Sequence, residues 1–242
     1  MLLLEGDRLV DDGLSAGLGV ELLLVAVDRP ERAAELRAAG QRPLMVEHFV
    51  LDRVSKVKNS PGVLALVRVP PVPRLEEYEP TDLAAGRAPL VVVAAGISNP
   101  INVGALVRSA EAAGASALVN VATTGAHLWS PRALRGSMGS LLRLPVYTAA
   151  DAVEARTELL AKGFQLVRPA VRGGTNYRTF DWTPPTALWI GSETDGDDGD
   201  DSDEVAPAEF AEVSIPMTGT VDSLNVTVAS AVLLFAAGRS EP

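Results

Sequence analysis

Ser223, Asn225 and Thr227 stand at the head of a long apolar run, and no other stretch puts hydrogen-bonding side chains so plainly where a ligand would use them. The stretch 213–235 opens as a short apolar strand ending at Ile215, is stopped by Pro216 and turns through Thr218, Gly219 and Thr220. The pattern predicts a helix next, capped by Asp222 or Ser223. From Val226 onward that helix is apolar on nearly every side, so it is expected to be buried. Free N–H groups and the positive dipole end at its first turn favour a polar or anionic ligand. An ordinary cap on a core helix uses the same residues, so spacing alone leaves both readings open.

Three other stretches carry polar groups near predicted strand ends. In 99–114, Asn102 is placed to cap a helix, and Gly104 and Ala105 let its first turn approach another backbone or a ligand. Arg108 follows Asn102 by six residues, on a face otherwise made of Ala105, Ala112 and Ala113, where its guanidinium needs a partner. An ion pair with Glu111 or Glu154 would supply one without any chemistry. In 188–196 a strand runs into a loop through Gly191 to Glu193 and Gly196, at the strand end where α/β proteins bind ligands. In 130–139, Arg132 and Arg135 have the planar forks that clamp a phosphate. His127 is a lone loop histidine nearby.

These stretches sit on a strict alternation. From Pro89 the pattern predicts strands at 90–96, 117–121, 164–167 and 187–190 and helices at 103–113, 131–142 and 150–162, followed by the apolar helix above. Such alternation implies an α/β fold with a mostly parallel sheet covered on both faces. Residues 1–70 form a smaller α/β unit with strands at 20–27 and 62–69 and a helix at 30–39. Prolines 70, 71, 73, 80 and 89, mixed with Glu76, Glu77 and Glu79, mark 71–88 as a linker, so the second domain spans 89–242.

Composition narrows the function classes. The 242 residues include no cysteine and only two separated histidines, His48 and His127, so thiolate chemistry is excluded and no metal site is expected. No apolar run is long enough for a membrane span and the start lacks a secretory signal, which predicts a cytoplasmic protein. A net charge of −10 argues against nucleic acid, yet eight of the 31 acidic residues lie between Glu193 and Glu204. The remaining 23 nearly balance 21 Lys and Arg, which leaves room for a local basic face. The acidic run breaks the calcium-loop register at Gly199 and reads as a solvated loop, dispensable for folding. The fingerprint G-x-G-x-x-G is absent after the first strand of the larger domain, which rejects a dinucleotide-binding domain.

Taken in order, Asn102 with Gly104-Ala105 and Arg108, then Arg135, Ser137 and Gly139, then Gly191-Ser-Glu193 with Gly196, then Ile215-Pro216-Met217, Gly219 and Ser223-Leu224-Asn225-Val226 resemble the motifs of the SpoU/TrmH family. These are S-adenosylmethionine-dependent RNA ribose 2′-O-methyltransferases of the SPOUT class. Residues 1–70, with Glu5-Gly6 and Lys58-Asn59-Ser60-Pro61-Gly62-Val63, resemble the L30e-like RNA-binding domain that precedes many of them.

The resemblance implies a C-terminal trefoil knot, a homodimer, S-adenosylmethionine as cofactor and structured RNA as substrate, with 23S rRNA favoured by the L30e-like unit. A tRNA ribose methylase is the alternative of the same class, and a non-catalytic RNA-binding or ribosome assembly factor the alternative of another. The implied catalytic residues are Asn102, Arg108, Glu193, Ser223 and Asn225. The cofactor falls to Gly191, Glu193, Gly196, Ile215, Met217, Ser223, Leu224 and Asn225, and RNA to Lys56, Lys58, Arg132 and Arg135.

Overall fold

Alternate residues of the central strand, Leu90, Val92 and Ala94 on one side and Val91 and Val93 on the other, are all buried, in two separate apolar clusters. A strand buried on both faces belongs to the middle of a parallel sheet. The computed structural model describes residues 1–80, 88–191, 209–218 and 220–238.

The first unit runs β1 (Leu2–Glu5), α1 (Asp7–Ser15), β2 (Val20–Ala26), α2 (Pro30–Ala38), β3 (Leu44–Val46), α3 (His48–Val54) and β4 (Val63–Val67). Its four strands pair in the order β1-β4-β2-β3, with only β2 and β3 parallel. After a short turn at Leu75–Glu77 come β5 (Leu90–Ala94), α4 (Pro100–Ala112), β6 (Ala117–Val121), α5 (Pro131–Ser137), α6 (Ser140–Arg143) and β7 (Val146–Ala149). Then follow α7 (Ala152–Ala161), β8 (Gln165–Ala170), β9 (Thr175–Asn176), β10 (Thr186–Ile190), β11 (Phe210–Ser214) and α8 (Val226–Gly238). The seven strands of this larger sheet pair in parallel in the order β7-β6-β5-β10-β8-β11-β9. The α/β alternation and parallel sheet expected for 89–242 are therefore present.

One face of that sheet carries Leu106 and Val107 of α4, Leu134 of α5 and Leu233 and Leu234 of α8, in a cluster continuous with Leu2, Leu4 and Val10 of the first unit. The other carries Ala155 and Leu159 of α7 together with Leu75 and Tyr78. The expected linker is thus not loose at 75–78: Leu75 is fully buried, and the Tyr78 hydroxyl lies 2.8 Å from Ser116 Oγ with its ring edge-on to Tyr147. Residues 81–87 lie outside the described residues.

Helix ends depart from expectation in instructive ways. The first helix of the larger unit starts at Pro100, not 103, because Asn99 Oδ1 accepts from Ile101 N and Pro100 supplies the preset φ of the first turn; Asn102 is inside the helix rather than its cap. The helix expected at 131–142 is two helices, broken where Met138 (φ 51) and Gly139 (φ 88) turn left-handed. The last helix begins at Val226 and is capped by Asn225, whose Oδ1 accepts from Thr227 N, so neither Asp222 nor Ser223 caps it. Nor is it wholly buried, since Val228 is 50% exposed and Phe235 39%. An all-apolar sequence cannot tell a helix enclosed by its own chain from one that leaves an apolar face for something else.

Candidate active site and RNA-binding surfaces

The order of strands decides where a ligand can sit. From β5 the chain moves outward through β6 to β7, whereas β10 and β11 lie on the other side of β5, separated by β8. Loops leaving adjacent strands in opposite directions open a crevice at the carboxyl ends, and this reversal falls between β5 and β10. The segment from Asn99 to Asn102 follows β5, Gly191 follows β10 and Ile215 follows β11, so three of the four motifs share one edge of the sheet. Glu193, Gly196 and Gly219 lie outside the described residues, as does the acidic run from Glu193 to Glu204.

The segment between β11 and α8 has the chemistry of a binding loop. Among the described residues, the backbone groups of 216–218 and 220–224 form no backbone hydrogen bond with one another or with the rest of the fold. Ile215 and Met217 are half-buried, while Ser223, Leu224 and Asn225 are exposed. Asn225 Oδ1 is taken by Thr227 N at 3.0 Å and the Thr227 hydroxyl at 2.5 Å, which leaves its amide N–H groups pointing to other partners.

Arg108 is exposed on α4 and pairs with neither carboxylate considered for it. Glu111 instead accepts a fork from Arg143 at 2.6 and 2.8 Å, and Glu154 accepts from Arg74 at 2.5 Å. The Arg143 fork lowers the Glu111 carboxyl below its ordinary range, and Glu111 in turn raises the Arg143 guanidinium. Among the described residues Arg108 has no hydrogen bond or ion pair, and the pocket it lines contains no residue of the 215–225 loop.

Asn102 is half-buried one turn from the head of α4. Of the expected phosphate clamp, Arg132 is exposed and Arg135 half-buried on α5, whose cap Ser130 accepts from Ala133 N. His127 Nδ1 accepts from Trp129 N, a local turn bond.

Lys56 and Lys58 are exposed on the loop between α3 and β4. That loop is held at both ends: Ser55 Oγ donates to Glu5 Oε2 at 2.5 Å, Lys56 N donates to Glu5 Oε1 at 2.9 Å, and Ser60 N donates to Asp52 Oδ1 at 2.9 Å. Glu5 is the residue that fixes the basic loop, a connection invisible in sequence because the partners are 50 positions apart. Among the described residues no group of three or more His, Asp or Glu could hold a metal, and no helix is long and apolar enough to cross a membrane.

A parallel sheet with glycine and short polar residues in the loops at its strand-order reversal places the chain in the class of α/β proteins that bind ligands at the carboxyl ends of their strands. Within that class the chain belongs to the SpoU rRNA methylase family, whose model matches residues 89–235. It is 32% identical over 250 residues to the 23S rRNA (uridine(2479)-2′-O)-methyltransferase of Streptomyces viridochromogenes, covering 92% of this chain and 81% of the relative. It is 28% identical over 236 residues to the 23S rRNA (guanosine(2553)-2′-O)-methyltransferase RlmP of Bacillus subtilis, covering 96% and 86%. The structure also resembles an AdoMet-bound rRNA methyltransferase from Sinorhizobium meliloti, with a TM-score of 0.81, 28% identity and 98% and 87% of the two chains covered.

Proposed function

We propose that this protein transfers a methyl group from S-adenosylmethionine to a ribose 2′-hydroxyl of structured RNA, most directly 23S rRNA. The observation that carries this reading is the strand-order reversal at β5–β10, with the loops of three family motifs leaving the sheet at its carboxyl end. Family membership over 89–235 and the named activities of the relatives support it. The chain divides into an L30e-like RNA-binding unit at 1–70, a connecting segment at 71–88 and a SPOUT methyltransferase unit at 89–242 with a C-terminal trefoil knot, working in the cytoplasm.

The loop at 215–225 fits the cofactor: unused backbone groups read the adenine edge, and Met217 and Leu224 flank its ring. Gly191, Ile215 and Leu224 give backbone contacts, with Glu193, Gly196, Ser223 and Asn225 completing the pocket. When bound, S-adenosylmethionine supplies an electrophilic methyl carbon on a sulfonium. Arg108 stabilises the alkoxide that develops on the ribose as its proton leaves to an RNA phosphate, since a guanidinium keeps its own protons and cannot serve as a base. Asn102, Ser223 and the free amide of Asn225 hold the ribose, and Glu193 orients the neighbouring loop or Arg108.

The family resemblance implies a homodimer, and in this reading Arg108 of one protomer serves the cofactor loop of the other. A groove of about 600 Å³ lined by Tyr177, Arg178, Trp182, Val232 and Phe235, on a helix that also leaves Val228 exposed, supports such a contact.

Incubation with tritiated S-adenosylmethionine and total RNA from a strain lacking the enzyme is expected to label 23S rRNA. Label in tRNA would move the substrate, and no label in any RNA would favour a binding factor. Leu224→Asp is expected to weaken cofactor binding at least tenfold by calorimetry, because a carboxylate replaces an apolar wall of the adenine site. Unchanged affinity would remove Leu224 from the pocket.

A further inference from the structure

Arg108 shares its pocket, of about 220 Å³, with a residue of the other unit: Arg8, on the first turn of α1. The remaining walls include Met138, Glu111 and Arg143. Here Arg143 is consumed by its neighbours. Its fork closes on Glu111, and its remaining nitrogen lies 2.7 Å from Asp12 Oδ2 of α1. The same Asp12 oxygen is 3.9 Å from Arg8 Nε, the longer of its two ion-pair contacts, and the Arg8 side chain is 64% exposed. Three guanidinium groups, Arg8 from the first unit with Arg108 and Arg143 from the second, therefore line one small pocket against two carboxylates, Asp12 and Glu111, and the cluster keeps one net positive charge.

The net positive charge left over favours a further anion, and planar forks match phosphate oxygens. Met138 adds an apolar wall, held in a left-handed conformation that a residue with a side chain rarely adopts. Gly139 follows because a side chain there would collide with the Asp12 carboxylate and the Arg143 guanidinium.

Resting on the function proposed above, we propose that Arg8 is a substrate-binding residue: with Arg108 it grips a phosphodiester of the RNA beside the target ribose. The Asp12–Arg143–Glu111 bridge is the strut that holds α1 at the required distance from α4. The first unit then does more than capture RNA through Lys56 and Lys58, because it supplies half of a phosphate grip next to the chemistry.

The test uses the full chain and a transcript of 23S rRNA, with affinity measured by filter binding across a salt series. Arg8→Ala is expected to weaken binding about tenfold and to reduce the slope of log Kd against log salt by roughly one. KM for RNA should rise with little change in kcat, and calorimetric affinity for S-adenosylmethionine should not move. Arg37→Ala, which removes an exposed charge on α2 far along the chain from the pocket, should leave KM unchanged. Gly139→Ala, which removes no charge but wedges the strut, should raise KM as Arg8→Ala does, with thermal melting confirming a folded protein. A wild-type protein that methylates the transcript, beside an Arg8→Ala variant of unaltered affinity and slope, overturns the assignment of Arg8 alone. A wild-type protein that neither binds nor methylates RNA overturns the function, and the assignment with it.

Discussion

Replacing Arg108 by alanine is expected to lower turnover by on the order of 100-fold or more at saturating RNA and cofactor, with the melting temperature and cofactor affinity unchanged. The separation follows from its surroundings. Arg108 is exposed and has no hydrogen bond or ion pair among the described residues, so its removal leaves no buried charge unpaired and opens no cavity. Its loss should be felt where charge develops, at the ribose oxygen, and in the grip on the neighbouring RNA phosphate. Arg108→Lys is expected to lose nearly as much, because a point charge cannot present two parallel donors to an alkoxide and a phosphate together. Turnover of Arg108→Ala close to wild type would exclude the residue from the chemistry and direct attention to His127.

The second large effect lies in the packing beneath that site. Helices α4 and α5 cross at Gly104 and Gly136, and a Cβ at Gly104 would meet the Ala133 carbonyl oxygen, with Ser137 N at 2.7 Å and the Gly136 carbonyl carbon at 2.8 Å. Backbone atoms cannot rotate aside. Against this, any side chain gains on helix propensity over glycine, by at most about 1 kcal/mol. Overpacking a tight contact costs about 1–3 kcal/mol, and Gly104→Val sits at the high end because every atom its Cβ would meet is backbone. A net loss of about 2–3 kcal/mol is expected, read as a fall in melting temperature of roughly 4–12 °C for a chain of this size. An unchanged melting temperature would mean that α4 and α5 do not cross there. Because the Arg108 and Gly104 variants fail for different reasons, one should be a stable but slow enzyme and the other an unstable one.

The two substitutions also mark where the sequence sufficed. Val91 and Val93 alternate with Leu90 and Val92 in a run apolar on both sides, and such a run has one stable home, the middle of a covered parallel sheet. The α/β class and the position of the motif residues at strand ends were therefore legible, as were the SpoU motifs, because glycine, asparagine and arginine at fixed spacing leave a local signature. Helix boundaries were less so. Asn99 outcompetes Asn102 as a cap because Pro100 already fixes the first turn, and Asn225 outcompetes Ser223 because its carbonyl reaches Thr227 N.

What only the tertiary structure decided were relations between distant residues. Glu5 holding the Lys56 loop, Tyr78 pinning the segment before β5, and Arg143 joining Asp12 to Glu111 all depend on elements brought together by sheet order. An ion pair between residues more than a hundred positions apart leaves no periodicity in the chain. The half-exposed α8 has the same cause: hydropathy records that a surface must leave water, and only the assembled fold reveals which part of it the chain itself can cover.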